Sequence, residues 1–416
     1  MALVVGTGFC ASPLQAADKD DEQGAGVRVV GEESSADAQT EGSGDSFAAP
    51  GREIEEIRKK IEEHLRLSIH GAVVGYYQGM NNVRIQGEEY KNPDGAGFVA
   101  DLEFAFAPLE GGEFVLRIHA GEGDGADRDL APAGALFGDL NTLNDDNPGD
   151  DGVSLLEAFY THTFFDEKLL ISAGKTEPLV FLDDNAFAND EYAQFVGKPL
   201  VNNPVLDTEN EFGPLATVRI APFETLAFAL VFQSSSRPRL EEDQQKSTLD
   251  RVFDEPFLAG QLFWSPQIAG LKGNYRVNAW AQTYDHPRLS GAGTEEGWGV
   301  GLSLDQGVHE RVGLFARFGY QNRDVYEVPW LWSGGAQLLG LVPGREDDQL
   351  GLGIAGLKAN DELEGDGTEY HLEGYYRLSF GEHLAISPDI QYVVDPLGHE
   401  HNEDVVAGML RVEGYF

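Results

Sequence analysis

From Leu67 to Phe416 apolar and polar residues alternate with a period of two, in runs bounded by Gly, Pro, Asn and Asp. Such alternation predicts strands with one face in an apolar medium and the other in a polar one. It places strands near 66–77, 97–107, 112–120, 153–164, 168–175, 213–221, 225–234 and 257–265. Eight more fall near 272–284, 296–304, 311–321, 330–341, 348–357, 368–380, 384–394 and 404–416. Short connections at 108–111, 166–167, 222–224, 266–271, 305–310, 342–347 and 381–383 alternate with longer ones. The longer ones are 78–96, 122–152, 176–212, 235–256, 285–295, 322–329, 358–367 and 395–403.

Ahead of residue 66 the period changes. Ile54, Ile57, Ile61 and Leu65 recur at helical spacing among charges, predicting a short amphipathic helix over 51–65. It is too short to stand alone in water. It suits a helix packed on the end of the folded body, or a short coiled coil between subunits. Residues 18–50 are acidic and rich in Gly, Ser and Ala, and read as a disordered linker. Residues 1–17 read as a secretory signal peptide with cleavage near Ala16 or Ala17, although no Lys or Arg precedes its apolar run. The single cysteine, Cys10, lies within it, so the mature chain carries no thiol chemistry.

The terminal strand decides the solvent. Val406, Gly408, Leu410, Val412, Gly414 and Phe416 share one parity, and Ala407, Met409, Arg411, Glu413 and Tyr415 share the other. Charges at alternate positions would spoil a soluble sandwich core but suit lipid outside and water inside. The predicted fold is therefore an all-β transmembrane antiparallel β-barrel of sixteen strands over 66–416, with a short N-terminal helix. An even strand count, with short turns alternating with long loops, puts both barrel termini on the periplasmic side of a bacterial outer membrane. A terminal Phe416 looks like the signal that such barrels present to the barrel assembly machinery.

Composition fits this picture. A net charge of −42 excludes a basic nucleic-acid binder. The negative mean hydropathy excludes a helical membrane protein but not a barrel, which needs an apolar residue only at every second position. Phe98, Leu102, Phe104 and Phe106 set one lipid face, as do Leu314, Phe318 and Tyr320 on a later strand. The opposite parity supplies candidate pore-lining residues: Asp101, Glu103, Arg117, Glu157, Arg219, Arg276, Arg317, Glu373, Arg377, Asp389, Arg411 and Glu413, with His119 and Gln391 beside them. Arg or Lys on the lipid face would cost up to ~2–4 kcal/mol each, so these residues belong inside. Trp280 and Phe315 share that parity, and rings beside charges suit sugars, although a simply well-packed interior reads the same way. Tyr76, Tyr77, Tyr326, Trp330, Trp332, Tyr392 and Tyr415 lie near strand ends, as interfacial girdles do.

The longest loop, 176–212, contains Leu179, Phe181, Phe187, Phe195 and Val201 and needs burial. Folded into the barrel it places Asp183, Asp184, Asn185, Asn189, Asp190, Glu191 and Lys198 at a constriction; the alternative is packing over the mouth. The acidic loop 122–151 reads as solvated, without EF-hand spacing. His399 and His401 flank Glu400 in a turn with no third ligand, so no metal is assigned. No nucleophile elbow, cofactor motif or catalytic set is found.

Gly174-Lys-Thr-Glu-Pro178, Asn185-Ala-Phe-Ala-Asn-Asp-Glu191 and Gln194-Phe195 with Val201-Asn-Asn-Pro204 resemble the carbohydrate-selective porin family of Gram-negative bacteria. So do Gly313-Leu-Phe-Ala-Arg-Phe-Gly-Tyr-Gln321, Gly353-Ile-Ala-Gly-Leu-Lys-Ala-Asn360 and Ala385-Ile-Ser-Pro-Asp-Ile-Gln-Tyr-Val-Val-Asp-Pro396. The resemblance covers about residues 66–416. It implies a sixteen-stranded outer-membrane channel for monosaccharides and related solutes, with arginines and glutamates at the constriction. Expected partners are small sugars, outer-membrane lipid and lipopolysaccharide, with the chain a monomer or homotrimer. The rival readings are a general cation-preferring porin, a structural barrel docking a periplasmic protein, and a secreted soluble β protein.

Overall fold

The alternating runs form sixteen antiparallel strands in one closed sheet. They are β1 (Leu67–Met80), β2 (Asp94–Leu109), β3 (Gly112–Glu122), β4 (Val153–Phe164), β5 (Leu169–Thr176), β6 (Gly213–Phe223), β7 (Leu226–Gln233) and β8 (Phe257–Trp264). The circuit continues with β9 (Leu271–Pro287), β10 (Thr294–His309), β11 (Val312–Gln321), β12 (Trp330–Leu339), β13 (Gln349–Lys358), β14 (Thr368–Ser379), β15 (Leu384–Val394) and β16 (Val405–Tyr415). Each pairs with its sequence neighbours, and β1 closes the circle on β16 with Gly75 opposite Val412. The computed structural model describes residues 66–91, 93–145, 152–203, 205–206, 208, 212–234, 252–363 and 365–416. The expected signal, linker and helix before residue 66 lie outside them.

Every strand expected from the sequence is present, and the parity is as read. Phe98, Phe106, Leu314, Leu372, Ile390, Leu410 and Val412 are exposed on the outer face, while Asp101, Arg317, Glu373, Asp389, Arg411 and Glu413 are buried inside. The loop asymmetry holds with one inversion. β9 and β10 run longer than the alternation suggested and leave a connection of only 288–293, whereas the short-turn end carries 340–348. Three girdle candidates point inward instead. Tyr76 is buried and donates to the Gly123 carbonyl, Tyr326 packs on Trp280, and Tyr415 lies against Arg377. Phase, not distance from a strand end, decided the side of Tyr76 and Tyr415, whereas Tyr326 sits in the 322–329 connection.

Two features of the long-loop end depart from the sequence reading. A small hairpin, Val83–Ile85 with Glu88–Tyr90, turns through Gln86 and Gly87 at positive φ. Its Val83 and Ile85 are buried with Leu130, Leu140, Leu397 and Val405. The acidic segment after β3 is likewise packed rather than solvated over 123–145: Leu130, Leu140 and Leu143 are buried, and so is Asp127. The barrel's apolar core therefore consists of loop side chains laid on the inner wall.

Candidate functional site

The 176–212 loop leaves β5, crosses the lumen and meets the inner wall on many strands. Near its start Asp183, at φ 57, takes the left-handed conformation that Asp tolerates better than most residues. Its amide donates to Gln261 of β8 at 3.1 Å. Asn185 Nδ2 donates to Ser303 Oγ of β10 and to the Leu304 carbonyl, both at 3.2 Å. Tyr192 OH donates to Asp101 of β2 at 2.8 Å, and Asp101 also holds His119 Nδ1 at 2.8 Å. A loop packed outside the mouth would make none of these contacts.

The wall opposite is shaped for the loop. On β11, Gly313, Phe315, Arg317 and Gly319 share the buried inner face. A Cβ on Gly313 would lie 2.3 Å from the Phe187 ring, and one on Gly319 would lie 1.8 Å from Val205, so only glycine lets the loop approach so closely. Phe315 packs on Phe195 with ring centroids 5.5 Å apart. Arg317 Nε donates to both oxygens of Asp183 at 3.1 and 2.9 Å, Nη1 to the Leu200 carbonyl at 2.9 Å, and Nη2 to the Ala188 carbonyl at 2.5 Å and Asn189 Oδ1 at 3.3 Å. Both Arg317 and Asp183 side chains are completely buried.

The other inward charges divide by what they touch. Arg411 is completely buried and donates to the carbonyls of Glu191 at 2.5 Å and Gln194 at 2.7 Å. Arg276 pairs with Asp305 at 2.7 Å, Arg377 with Glu413 at 2.6 Å, and Arg117 with Glu157 at 2.8 Å. Glu157 also accepts from Thr176, and Glu413 accepts from Ser387 at 2.5 Å. Glu103 is buried across the ladder from Arg117, Asp389 is buried across from Tyr375, and Glu373 meets the loop backbone at Val196. Arg219 differs: it is half-buried, its guanidinium lies 6.0 Å from the Phe263 ring centre, and among the described residues it has no ion pair or hydrogen-bond acceptor. Phe263 is also flanked by Arg276 at 5.3 Å.

The aromatic candidates are covered. Trp280 is buried beneath the loop, donating Nε1 to the Val205 carbonyl at 3.1 Å, and Phe315 is buried under Phe187 and Phe195. Phe263 is a half-exposed aromatic on the lumen parity, which the sequence reading passed over although it alternates with Gln261.

On the loop itself Asp184 is exposed, and Asn189, Asp190, Glu191 and Lys198 are half-exposed. Burial pushes the Asp184 carboxyl up, offset by Arg276. Asp190 accepts from the amides of Tyr192 at 3.0 Å and Ala193 at 3.2 Å, and burial together with the Glu413 charge pushes its carboxyl up to about 6. Lys198 Nζ lies 3.3 Å from Asp139 and 3.5 Å from Asp145. Among the described residues no group of three or more His, Cys, Asp or Glu side chains is placed to hold a metal.

A closed barrel narrowed by an inward loop, with ion-paired walls, can pass small hydrophilic solutes. The family model for the carbohydrate-selective porin, OprB family, matches residues 90–416. Porin B of Pseudomonas aeruginosa is 23% identical over 201 residues, covering 38% of this chain and 44% of that protein, so the match spans less than half of the relative's length. The high-pH structure of Pseudomonas putida OprB superposes with a TM-score of 0.74 at 17% identity, covering 88% of this chain and 97% of the other. The low-pH structure of the same protein gives 0.55 at 15% identity, over 91% and 100% of the two chains. The chain belongs to the carbohydrate-selective porin, OprB family, and is an outer-membrane β-barrel.

Proposed function

We propose that the protein is a passive outer-membrane channel for small sugars and related hydrophilic solutes. The observation that carries this reading is the 176–212 loop folded across the lumen, held by Arg317 and Arg411 and leaving Asp184, Asp190 and Glu191 in contact with water. An aperture lined by hydrogen-bonding groups selects polyhydroxyl solutes over apolar ones without any chemical step. Porins are channels and not enzymes, and no residue here is assigned a catalytic role. Of the pore-lining candidates, Arg219 beside Phe263 is the best placed to meet solute, because it is half-exposed and among the described residues has no ion pair or hydrogen-bond acceptor. A guanidinium next to a ring face offers donors for hydroxyls and an apolar edge for sugar C–H surfaces.

The three acidic loop groups favour one second reading, a general cation-preferring porin. Proteoliposome swelling in a sugar series, together with the reversal potential in a salt gradient, separates the two. Swelling by monosaccharides with sugar block of the ion current supports the sugar channel, whereas strong cation selectivity with no sugar block refutes it. In this reading both barrel termini face the periplasm, β16 with the Phe416 that follows it engages the barrel assembly machinery, and lipopolysaccharide surrounds the long-loop end. Native gels in mild detergent distinguish monomer from homotrimer.

A further inference from the structure

The inner face of β14 presents Glu369, His371, Glu373, Tyr375 and Arg377 in alternation. Two of these are buried carboxylates that bind loop backbone rather than a cation. Glu373 accepts from the amides of Val196 at 2.6 Å and Gly197 at 2.9 Å, in the 176–212 loop. Glu369 accepts from Phe137 at 3.0 and 3.1 Å and from Gly138 at 3.1 Å, in the 123–145 segment, and from Leu397 at 2.7 Å, in the segment after β15. His371 Nε2 lies 2.7 Å from Glu369 and orients it. Alternate strand residues are spaced about 7 Å apart, so the two carboxylates sit about 13 Å apart along one rail.

The two loops also brace each other. The Thr142 amide and hydroxyl both donate to the Val196 carbonyl, at 2.9 and 3.0 Å, and the Lys198 amide donates to the Asp139 carbonyl at 3.0 Å. Glycines mark both latches. A Cβ at Gly197 would lie 2.6 Å from Glu373 Oε2, and one at Gly138 would lie 2.3 Å from Pro199 of the other loop. We propose that Glu369 and Glu373 are positioning residues that hold the two inward loops as a single two-tiered diaphragm, so that strand β14 sets the aperture and with it the size limit for solutes. This rests on the channel reading above.

The experiment compares the full chain with Glu373→Ala, Glu373→Gln, Glu369→Ala and the Glu369→Ala/Glu373→Ala pair. Readouts are single-channel conductance and proteoliposome swelling in mono-, di- and trisaccharides, with heat-modifiable gel mobility reporting the barrel. Losing the acceptor that holds two loop amides raises the displaced-loop population by roughly tenfold or more. Glu373→Ala is expected to give larger, noisier conductance and to admit the trisaccharide, with barrel mobility unchanged. Glu373→Gln keeps one acceptor and falls between. Because the tiers are braced, the pair should shift the size limit by less than the product of the single effects.

If Glu373→Ala does not assemble, Gly197→Ala displaces the same loop from its own side and carries the test. Variants matching the unaltered chain in conductance and size limit overturn the positioning role. Independent, multiplying effects of the two carboxylates overturn the single diaphragm. An unaltered chain that assembles but neither conducts nor swells liposomes overturns the channel reading itself.

Discussion

Replacing Arg317 tests most directly whether the inward loop sets the pore. Its guanidinium meets Asp183 through both carboxylate oxygens and also serves the Leu200 and Ala188 carbonyls, all in a site closed to water. Arg317→Ala leaves the Asp183 carboxylate buried without its countercharge, a change that costs about 3–5 kcal/mol in buried pairs. Two carbonyls lose a donor as well, at about 1–3 kcal/mol each when no replacement arrives. The barrel need not unfold to relieve this, because the loop can swing away and expose Asp183 to lumen water. A bias of about 3 kcal/mol corresponds to roughly a hundredfold shift in loop population.

Single-channel recording should therefore find Arg317→Ala with larger conductance and a raised sugar size limit, while heat-modifiable mobility stays that of a folded barrel. Arg317→Lys keeps the charge but not the planar fork, and should sit closer to Ala than to Arg. Asp183→Asn combined with Arg317→Met removes both charges, and Asn still tolerates the left-handed backbone at 183. The pair should recover much of what the single Ala loses. Unchanged conductance and size limit in Arg317→Ala would refute the reasoning. A double variant as open as the single one would show that lost packing, and not the stranded carboxylate, moves the loop.

Asp190 gives the pH dependence. Its carboxyl is raised from 3.8 to about 6, so ionisation penalises the folded-in loop; that penalty is absent below about 3.8 and complete above 6. Lowering the pH through 6 should steady the loop and reduce cation preference in reversal-potential measurements, and Asp190→Asn should flatten that step. Arg219→Ala should weaken sugar block of the current by roughly tenfold, the worth of a hydrogen bond to a charged group, with no loss of barrel stability in a thermal melt. Gly319→Ala should open the channel, because its Cβ would strike Val205, whereas Gly75→Ala, with nothing within 4 Å, should match the unaltered chain in conductance and melting.

The barrel was legible because period-two alternation is a local property, and each strand declares it without reference to the others. Which residues face inward was legible for the same reason, and even the terminal strand placed Arg411 and Glu413 correctly. What each inward residue touches was not. Gly313, Phe315, Arg317 and Gly319 form a docking strip whose partners lie more than a hundred residues away in sequence. Glu369 was missed although it shares parity with Glu373, because nothing along the strand distinguishes a carboxylate that binds amides from one that faces water. Trp280 and Phe315 looked available to sugars for the converse reason: alternation reports the side of the sheet and not what covers it.

The mixed signs of the wall follow from the chemistry of an irregular segment inside a barrel. A loop lacking regular structure has unpaired amides and carbonyls, and when buried each needs a partner. The arginines supply donors to the carbonyls of Ala188, Glu191, Gln194 and Leu200, and the glutamates supply acceptors to the amides of Phe137, Gly138, Val196, Gly197 and Leu397. An interior with both signs of charge is then required whether or not any sugar passes, so its presence cannot by itself argue for sugar. The groups placed to meet a solute are those that keep contact with water: Asp184, Asp190 and Glu191 on the loop, and Arg219 with Phe263 on the wall. Substrate preference should change with those residues, and gating with Arg317, Arg411, Glu369 and Glu373.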